Sequence, residues 1–376
     1  MIRTIAVLFV ASCLPAQEVY DLLLKGGHVI DPKNGRNQKL DVAISGKKIQ
    51  KIAPVIPSAH GRNVVDLSDY YITPGLIDIH AYLTPRSNPA GVNPDHNALR
   101  FGVTTVVDAG SAGWKNFAEF QKEVIESAKV RVLAFVNVTG GGFLEPGDKA
   151  PDAAAASDVV AKYPKTIVGI RAMHDTESLD AARKAAEGAK TIVMADSPQV
   201  RSGDIATEIY GRHGRLESFA TARKKGVVLD VGHGNEGLWF RIAAPAIRQG
   251  FLPDTISTGM DSRSVMLPRG YLTNVMSKFL AMGMTLDQVV ERTTVRPATA
   301  IRRPELGSLI EGGAADIAVF ELRKGSFGFV DSGHARMQAD RVLRCVLTIR
   351  EGEVVWDTEG LSLTDWKKAG PYSNFK

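Results

Sequence analysis

Residues 75–80 read Gly75-Leu76-Ile77-Asp78-Ile79-His80, an apolar run of strand length. Seven more such runs follow, at 103–108, 131–138, 166–172, 191–196, 204–209, 226–233 and 254–258. Helical patterns fill most of the gaps, at 117–128, 153–163, 178–188, 217–225 and 238–249. Strands that alternate with helices form βα units, and such units lay their strands parallel. Eight of them predict an α/β fold, a (β/α)8 TIM-like barrel with its site at the carboxyl ends of the strands. One gap departs from the pattern. Between Asp196 and Asp204 stand only Ser197-Pro198-Gln199-Val200-Arg201-Ser202-Gly203, too few for a crossover helix. The Met and Phe residues of 275–284 read as helix core, not as a cofactor box.

Outward from this centre both chain ends are β-rich. Residues 22–26, 29–30, 41–45, 48–52 and 63–67 are short strand-like runs, with Asp31-Pro32-Lys33-Asn34-Gly35 as a turn. Residues 317–322, 342–350 and 353–357 repeat the pattern, with turn glycines at Gly307, Gly312, Gly313 and Gly352. The expectation is a small β-sandwich domain built from residues 17–72 and 306–360, around a barrel of residues 73–305.

The 376 residues are 44% hydrophobic and 23% charged, which excludes a disordered, collagenous or disulfide-scaffold chain. Lys and Arg number 46 against 41 Asp and Glu, a net charge of +5. The basic residues form no long run, so no nucleic-acid partner is expected. Met1-Ile2-Arg3-Thr4 is charged and an apolar stretch, 5–14, follows it, too short for a transmembrane span. Residues 1–16 therefore read as a signal peptide and the protein as exported, periplasmic or extracellular. The alternative is a lipobox, Val10-Ala11-Ser12-Cys13, with a lipid anchor on Cys13. The other cysteine is Cys345, so loss or lipidation of Cys13 leaves no internal disulfide.

Several of these runs resemble a known family. Ile72-Thr73-Pro74-Gly75-Leu76-Ile77-Asp78-Ile79-His80 is similar to the first barrel strand of the amidohydrolase superfamily, and 102–113 resembles the second. Leu229-Asp230-Val231-Gly232-His233-Gly234 and Asp254-Thr255-Ile256-Ser257-Thr258 resemble the last two. Residues 307–320 resemble the return to the small β-domain. The likeness is to the dihydroorotase-like branch that includes N-acetyl-amino-acid deacetylases and acyl-hydroxy-acid esterases, and it runs from about residue 19 to 357.

The resemblance implies a metal-dependent hydrolase of a small amide or ester, with divalent Zn or Mn. Such ions lower the pKa of a bound water to about 7 and polarise the scissile carbonyl. It also implies ligands: His-x-His on strand one, a carboxylated lysine on strand four, histidines on strands five and six, and an aspartate on strand eight. This chain departs from that set at five positions. Tyr82 stands for the second histidine, Arg171 for the lysine, Asp196 and Glu208 for the strand-five and strand-six histidines, and Gly259 for the aspartate. A guanidinium stays charged and repels a cation. Two readings follow. Either Arg171 replaces the ions and pairs with Asp196 or Glu208, or His80, Asp196 and Glu208, with Asp261, retain a reduced metal site.

Other candidates are Asp261 and His233 as catalytic groups, and Arg171, His233 and Asp108 as substrate-binding groups. His174 and Asp175 could supply acid/base function or simply occupy a surface loop. Three functional classes stay open: an altered hydrolase acting on a small-molecule substrate, a non-catalytic protein binding a small anion through Arg171, and an oligomer-forming homologue.

Overall fold

The computed structural model describes residues 18–370, apart from 85–90, 144, 146, 148–149, 173–174, 213–214 and 268–269. The leader, Cys13 and His174 lie outside the described residues.

The first five strands are β1 (Tyr20–Asp31), β2 (Arg36–Ser45), β3 (Lys48–Ala53), β4 (Gly61–Asp66) and β5 (Tyr71–Pro74). Seven barrel strands follow: β6 (Leu76–Ala81), β7 (Val103–Gly113), β8 (Arg131–Asn137), β9 (Ile167–Arg171), β10 (Ile192–Ala195), β11 (Ile205–Ala206) and β12 (Val228–Leu229). The chain ends in β13 (Ile317–Val330), β14 (Arg336–Arg350) and β15 (Glu353–Asp357). β6 to β12 form one parallel sheet in sequence order. The other sheet runs β15-β14-β13-β5-β1-β2-β3, with β4 beside β1, and so takes strands from both ends of the chain.

The eighth barrel run forms no ladder strand, but it closes the ring through single bridges, Asp230 with Thr255 on one side and Ala81 with Met260 on the other. Hydrogen bonds from Gly259 N to His80 O and from Tyr82 N to Met260 O seal that seam. The sixth and seventh runs pair over two residues each, much less than their apolar lengths suggest. Asp204 accounts for this on the strand-six side. Its carboxylate accepts from Val193 N, Arg201 N and the Arg201 guanidinium, and this turn takes the place of a helix between β10 and β11.

Inward-facing Ile77, Ile79, Val107, Leu133, Phe135 and Met194 fill the barrel, and Ala298 and Ile301 pack against the same cluster. The 117–128 pattern forms a short α-helix, Phe117–Phe120, continued by a π turn, Gln121–Ile125. Asp152 and Asp175 cap the two helices Ala153–Lys162 and Thr176–Gly188 by accepting from backbone N–H groups of the first turn. Asp175 is thus a cap.

β13 and β14 form a hairpin longer than the short strands expected there, paired out to Val330 and Arg336. Its tip reaches the barrel. Ser332 Oγ donates to His233 O (2.9 Å), and Asp331 accepts from Phe240 N (2.8 Å). At the other end of the sheet Asp31 accepts from Asn34, Arg36 and Leu309 N, so the first turn of the chain holds the segment that leads back into the small domain. No helix among the described residues is long and apolar enough to cross a membrane.

Candidate functional site

A cavity of about 590 Å³ opens at the carboxyl ends of the barrel strands, with Tyr82, Ser111, Phe143, Asp196, Glu208 and Asp261 on its walls. The parallel strands put these residues together, because each lies at or just past a strand end.

Arg171, the last residue of β9, is buried with a side chain 1% exposed, and its Nη2 donates to Asp196 Oδ1 at 2.6 Å. Burial opposes the guanidinium charge, but Asp196 and Tyr82 more than offset it and raise the pKa. Arg171 Nε and Nη1 have no hydrogen-bond partner among the described residues. Glu208 sits at φ 59°, a left-handed backbone that a non-glycine residue adopts at some cost. Burial first, and then the Asp196 charge, push its carboxyl up to about 8 against the pull of Arg171. Two carboxyl groups of one cavity thus stand in different settings: Asp196 is hydrogen-bonded to the Arg171 guanidinium, and Glu208 has its proton affinity raised by burial.

His80 is fully buried. Its Nε2 lies 3.1 Å from Tyr82 Oη, and its Nδ1 lies 3.0 Å from Thr207 Oγ1 and 3.7 Å from Asp230 Oδ2. Arg171 Nη2 also reaches Tyr82 Oη, at 3.5 Å. Tyr82 packs edge-on against Phe143, with ring centroids 4.6 Å apart, and burial raises the pKa of its phenol.

These contacts bear on a metal. Both ring nitrogens of His80 are engaged by hydroxyl groups, and Asp196 is engaged by a cation. Among the described residues no three His, Cys, Asp or Glu side chains converge on a point that could hold an ion. The donor set does not fit the family's metal centre, because a metal at His80 Nε2 would have to displace Tyr82 and stand beside a fixed guanidinium.

The other candidates divide. Asp261 lines the cavity, but its carboxylate accepts from Asn235 Nδ2, the Arg263 guanidinium and Ser264 N. Burial works to raise its pKa; those hydrogen bonds outweigh it and hold it below the usual carboxylate range. Asp261 thus orders its loop. His233 is not on the cavity wall. It is fully buried, with Nε2 2.7 Å from Lys278 Nζ, and burial, reinforced by the Lys278 charge, drives its pKa well down. Asp108 is buried too. It accepts from Leu83 N, Gly110 N and Ser111 N, and burial pushes its carboxyl up to about 7. It shapes the strand-two loop, and the next side chain to reach the cavity there is Ser111.

Sequence reading did not single out Asp230. Its carboxylate accepts from Thr207 (2.7 Å), Thr255 (2.6 Å) and Ser257 (2.6 Å), all buried. The available signal was an aspartate inside the apolar run 226–233, where an acid is kept only if hydroxyl or amide donors answer it.

No family model matches the chain. It is 29% identical over 337 residues to a deacetylase of Agrobacterium fabrum, which covers 80% of this chain and 83% of that one. It is 30% identical over 304 residues to a deacetylase of Brucella anthropi, with 71% and 75% covered. Among solved structures, an adenine deaminase superposes with a TM-score of 0.80 at 26% identity, over 89% of this chain and 99% of that one. A dihydroorotase gives 0.79 at 26% identity, over 90% and 99%. With that extent of likeness in sequence and in fold, the chain belongs to the amidohydrolase superfamily, in the dihydroorotase-like branch that holds the deacetylases.

Proposed function

We propose that this protein is an exported hydrolase of a small, non-peptide amide or ester that works at an ion-pair centre in the position where its family usually places divalent metal. The observation that carries the proposal is the buried Arg171–Asp196 pair at 2.6 Å in the wall of the cavity. A permanent cation there supplies what an ion would otherwise supply, a fixed charge near the oxygen on which negative charge develops, in a site of low polarity where it acts strongly. Glu208, whose carboxyl pKa burial raises to about 8, lines the same space and is placed to donate a proton there, while Asp196 holds Arg171. The cavity volume suits a small molecule, and the charged and apolar opening of the chain supports export.

The test is hydrolysis of a panel of N-acetyl amino acids and short acyl esters by the purified full chain, with metal content measured alongside. The expected result is turnover that survives exhaustive chelation and is not raised by added Zn or Mn. Turnover that requires a stoichiometric ion would defeat the proposal. The unpartnered Arg171 nitrogens support a second reading, a protein that binds a small anion without turning it over. A ligand-induced rise in melting temperature with no product formed would select it.

A further inference from the structure

Four side chains behind the cavity wall form a directional chain. Thr207 has a single hydroxyl hydrogen, and its oxygen lies 2.7 Å from Asp230 Oδ2 and 3.0 Å from His80 Nδ1. Thr207 donates that hydrogen to Asp230 Oδ2, the carboxyl group to which Thr255 and Ser257 also donate. Thr207 Oγ1 therefore accepts from His80, whose Nδ1 carries a proton. Nε2, 3.1 Å from Tyr82 Oη, is then the ring atom placed to take the phenolic proton. Thr255 and Ser257 complete the acceptor capacity of Asp230 and hold it in place. The hydroxyl of a cavity-lining residue, an imidazole within hydrogen-bond reach, and a carboxyl group that orients the ring from behind are the parts of a nucleophile–base–orienter arrangement.

We propose that Tyr82 is the nucleophile of an acyl-transfer triad, with His80 as its base and Asp230, acting through Thr207, as the group that orients the base. This rests on the hydrolase reading above and names its chemistry. In the first half-reaction Tyr82 Oη bonds to the acyl carbon of an ester and the bond from that carbon to the leaving oxygen breaks. The phenolic proton passes to His80 Nε2 and on to the departing alcohol. In the second, water adds its oxygen to the acyl carbon while its proton goes to Nε2. The Tyr82 O–C bond then breaks, the phenolate recovers the proton, and the acid leaves. Arg171, whose Nη2 lies 3.5 Å from Tyr82 Oη, puts a positive charge beside the oxyanion of both steps. A phenol, even one whose pKa burial raises, is expelled far more readily than an amine anion, so esters of short acyl groups, more than amides, are the substrates this centre suits.

The experiment uses 4-nitrophenyl acetate with the full chain, acid quench and peptide mass mapping. The expected result is an acetyl group on Tyr82, absent from Tyr82→Phe, which keeps the ring against Phe143. Loss of the proton-accepting step in His80→Gln is expected to slow acylation by roughly 10²–10⁴-fold. Thr207 and Asp230 are positioning residues. Thr207→Val is expected to lower kcat with KM little changed, and Thr207→Ser to restore it. If the wild type hydrolyses the ester with no label on Tyr82, or Tyr82→Phe turns it over at the wild-type rate, the triad is overturned and the hydrolase reading stands. If the wild type is not acylated and turns over no amide or ester of the panel, both fall; turnover of amides alone overturns the triad and leaves the hydrolase reading.

Discussion

Arg171 is a guanidinium in a barrel wall, and a buried charge of that size costs several kcal/mol of lost hydration unless a carboxylate answers it. Asp196 answers it at 2.6 Å with its own side chain 6% exposed, so each ion depends on the other. Arg171→Ala removes this cation from beside Asp196 and a second acid, Glu208. It is expected to destabilise the protein by about 3–5 kcal/mol, measured as a shift of the denaturant midpoint; an unchanged midpoint at neutral pH would refute the pairing. His233 makes a different claim. Its folded pKa is depressed by burial and by Lys278, while the unfolded ring titrates near its usual 6.5. The unfolded chain thus binds the proton first as pH falls. The contribution of His233 to stability is complete above that pH and is lost below it, by up to about 1.4 kcal/mol per pH unit. A His233→Asn variant should lose that part of the slope between neutral pH and pH 5, followed by unfolding free energy against pH.

At the scale of elements the β13–β14 hairpin has the most far-reaching contacts. Helix Phe240–Arg248 has Trp239 at its N-cap position, a residue with no side-chain group that accepts from the first turn. Asp331, on the hairpin tip, supplies that acceptor from another sheet, through Phe240 N at 2.8 Å. Ser332, next to it, donates to the carbonyl of His233, in the loop whose residues Gly234, Asn235 and Glu236 line the cavity. The hairpin therefore caps a barrel helix and braces one cavity wall. Asp331→Ala should cost about 0.5–2 kcal/mol, the range for loss of an N-cap, with faster hydrogen exchange at the amides of the first turn of Phe240–Arg248. Exchange unchanged there would rule out the capping role. The strand runs at 317–322 and 342–350 stop short of this extension, whose signal was the alternation of Phe327 and Phe329 and of Met337 and Ala339, pairs that face each other across the hairpin and pack on the core.

For the whole molecule, the alternation of apolar runs and helical patterns was enough to give the barrel, since burial on both faces leaves that mark on a parallel strand. It overstated the strands at 204–209 and 226–233. Apolar side chains continue there, but in the second run Leu229 N and Gly232 N donate to the side chains of Asp254 and Ser257. In the site, Arg171, Asp196 and Glu208 were legible as chemical types, and the structure brings them to one region of the barrel mouth. The partners of His80 were not legible, because Thr207 is 127 residues away and only the closed ring puts the two in contact. The two-ended sheet described above has a consequence for synthesis. β5 and β13 are neighbours, yet more than 240 residues separate Pro74 from Ile317. On the ribosome, β5 must wait with an open edge while the entire barrel emerges. One edge of a sheet begun early is thus among the last to be covered, and an open edge of this kind is a surface for premature pairing through most of translation.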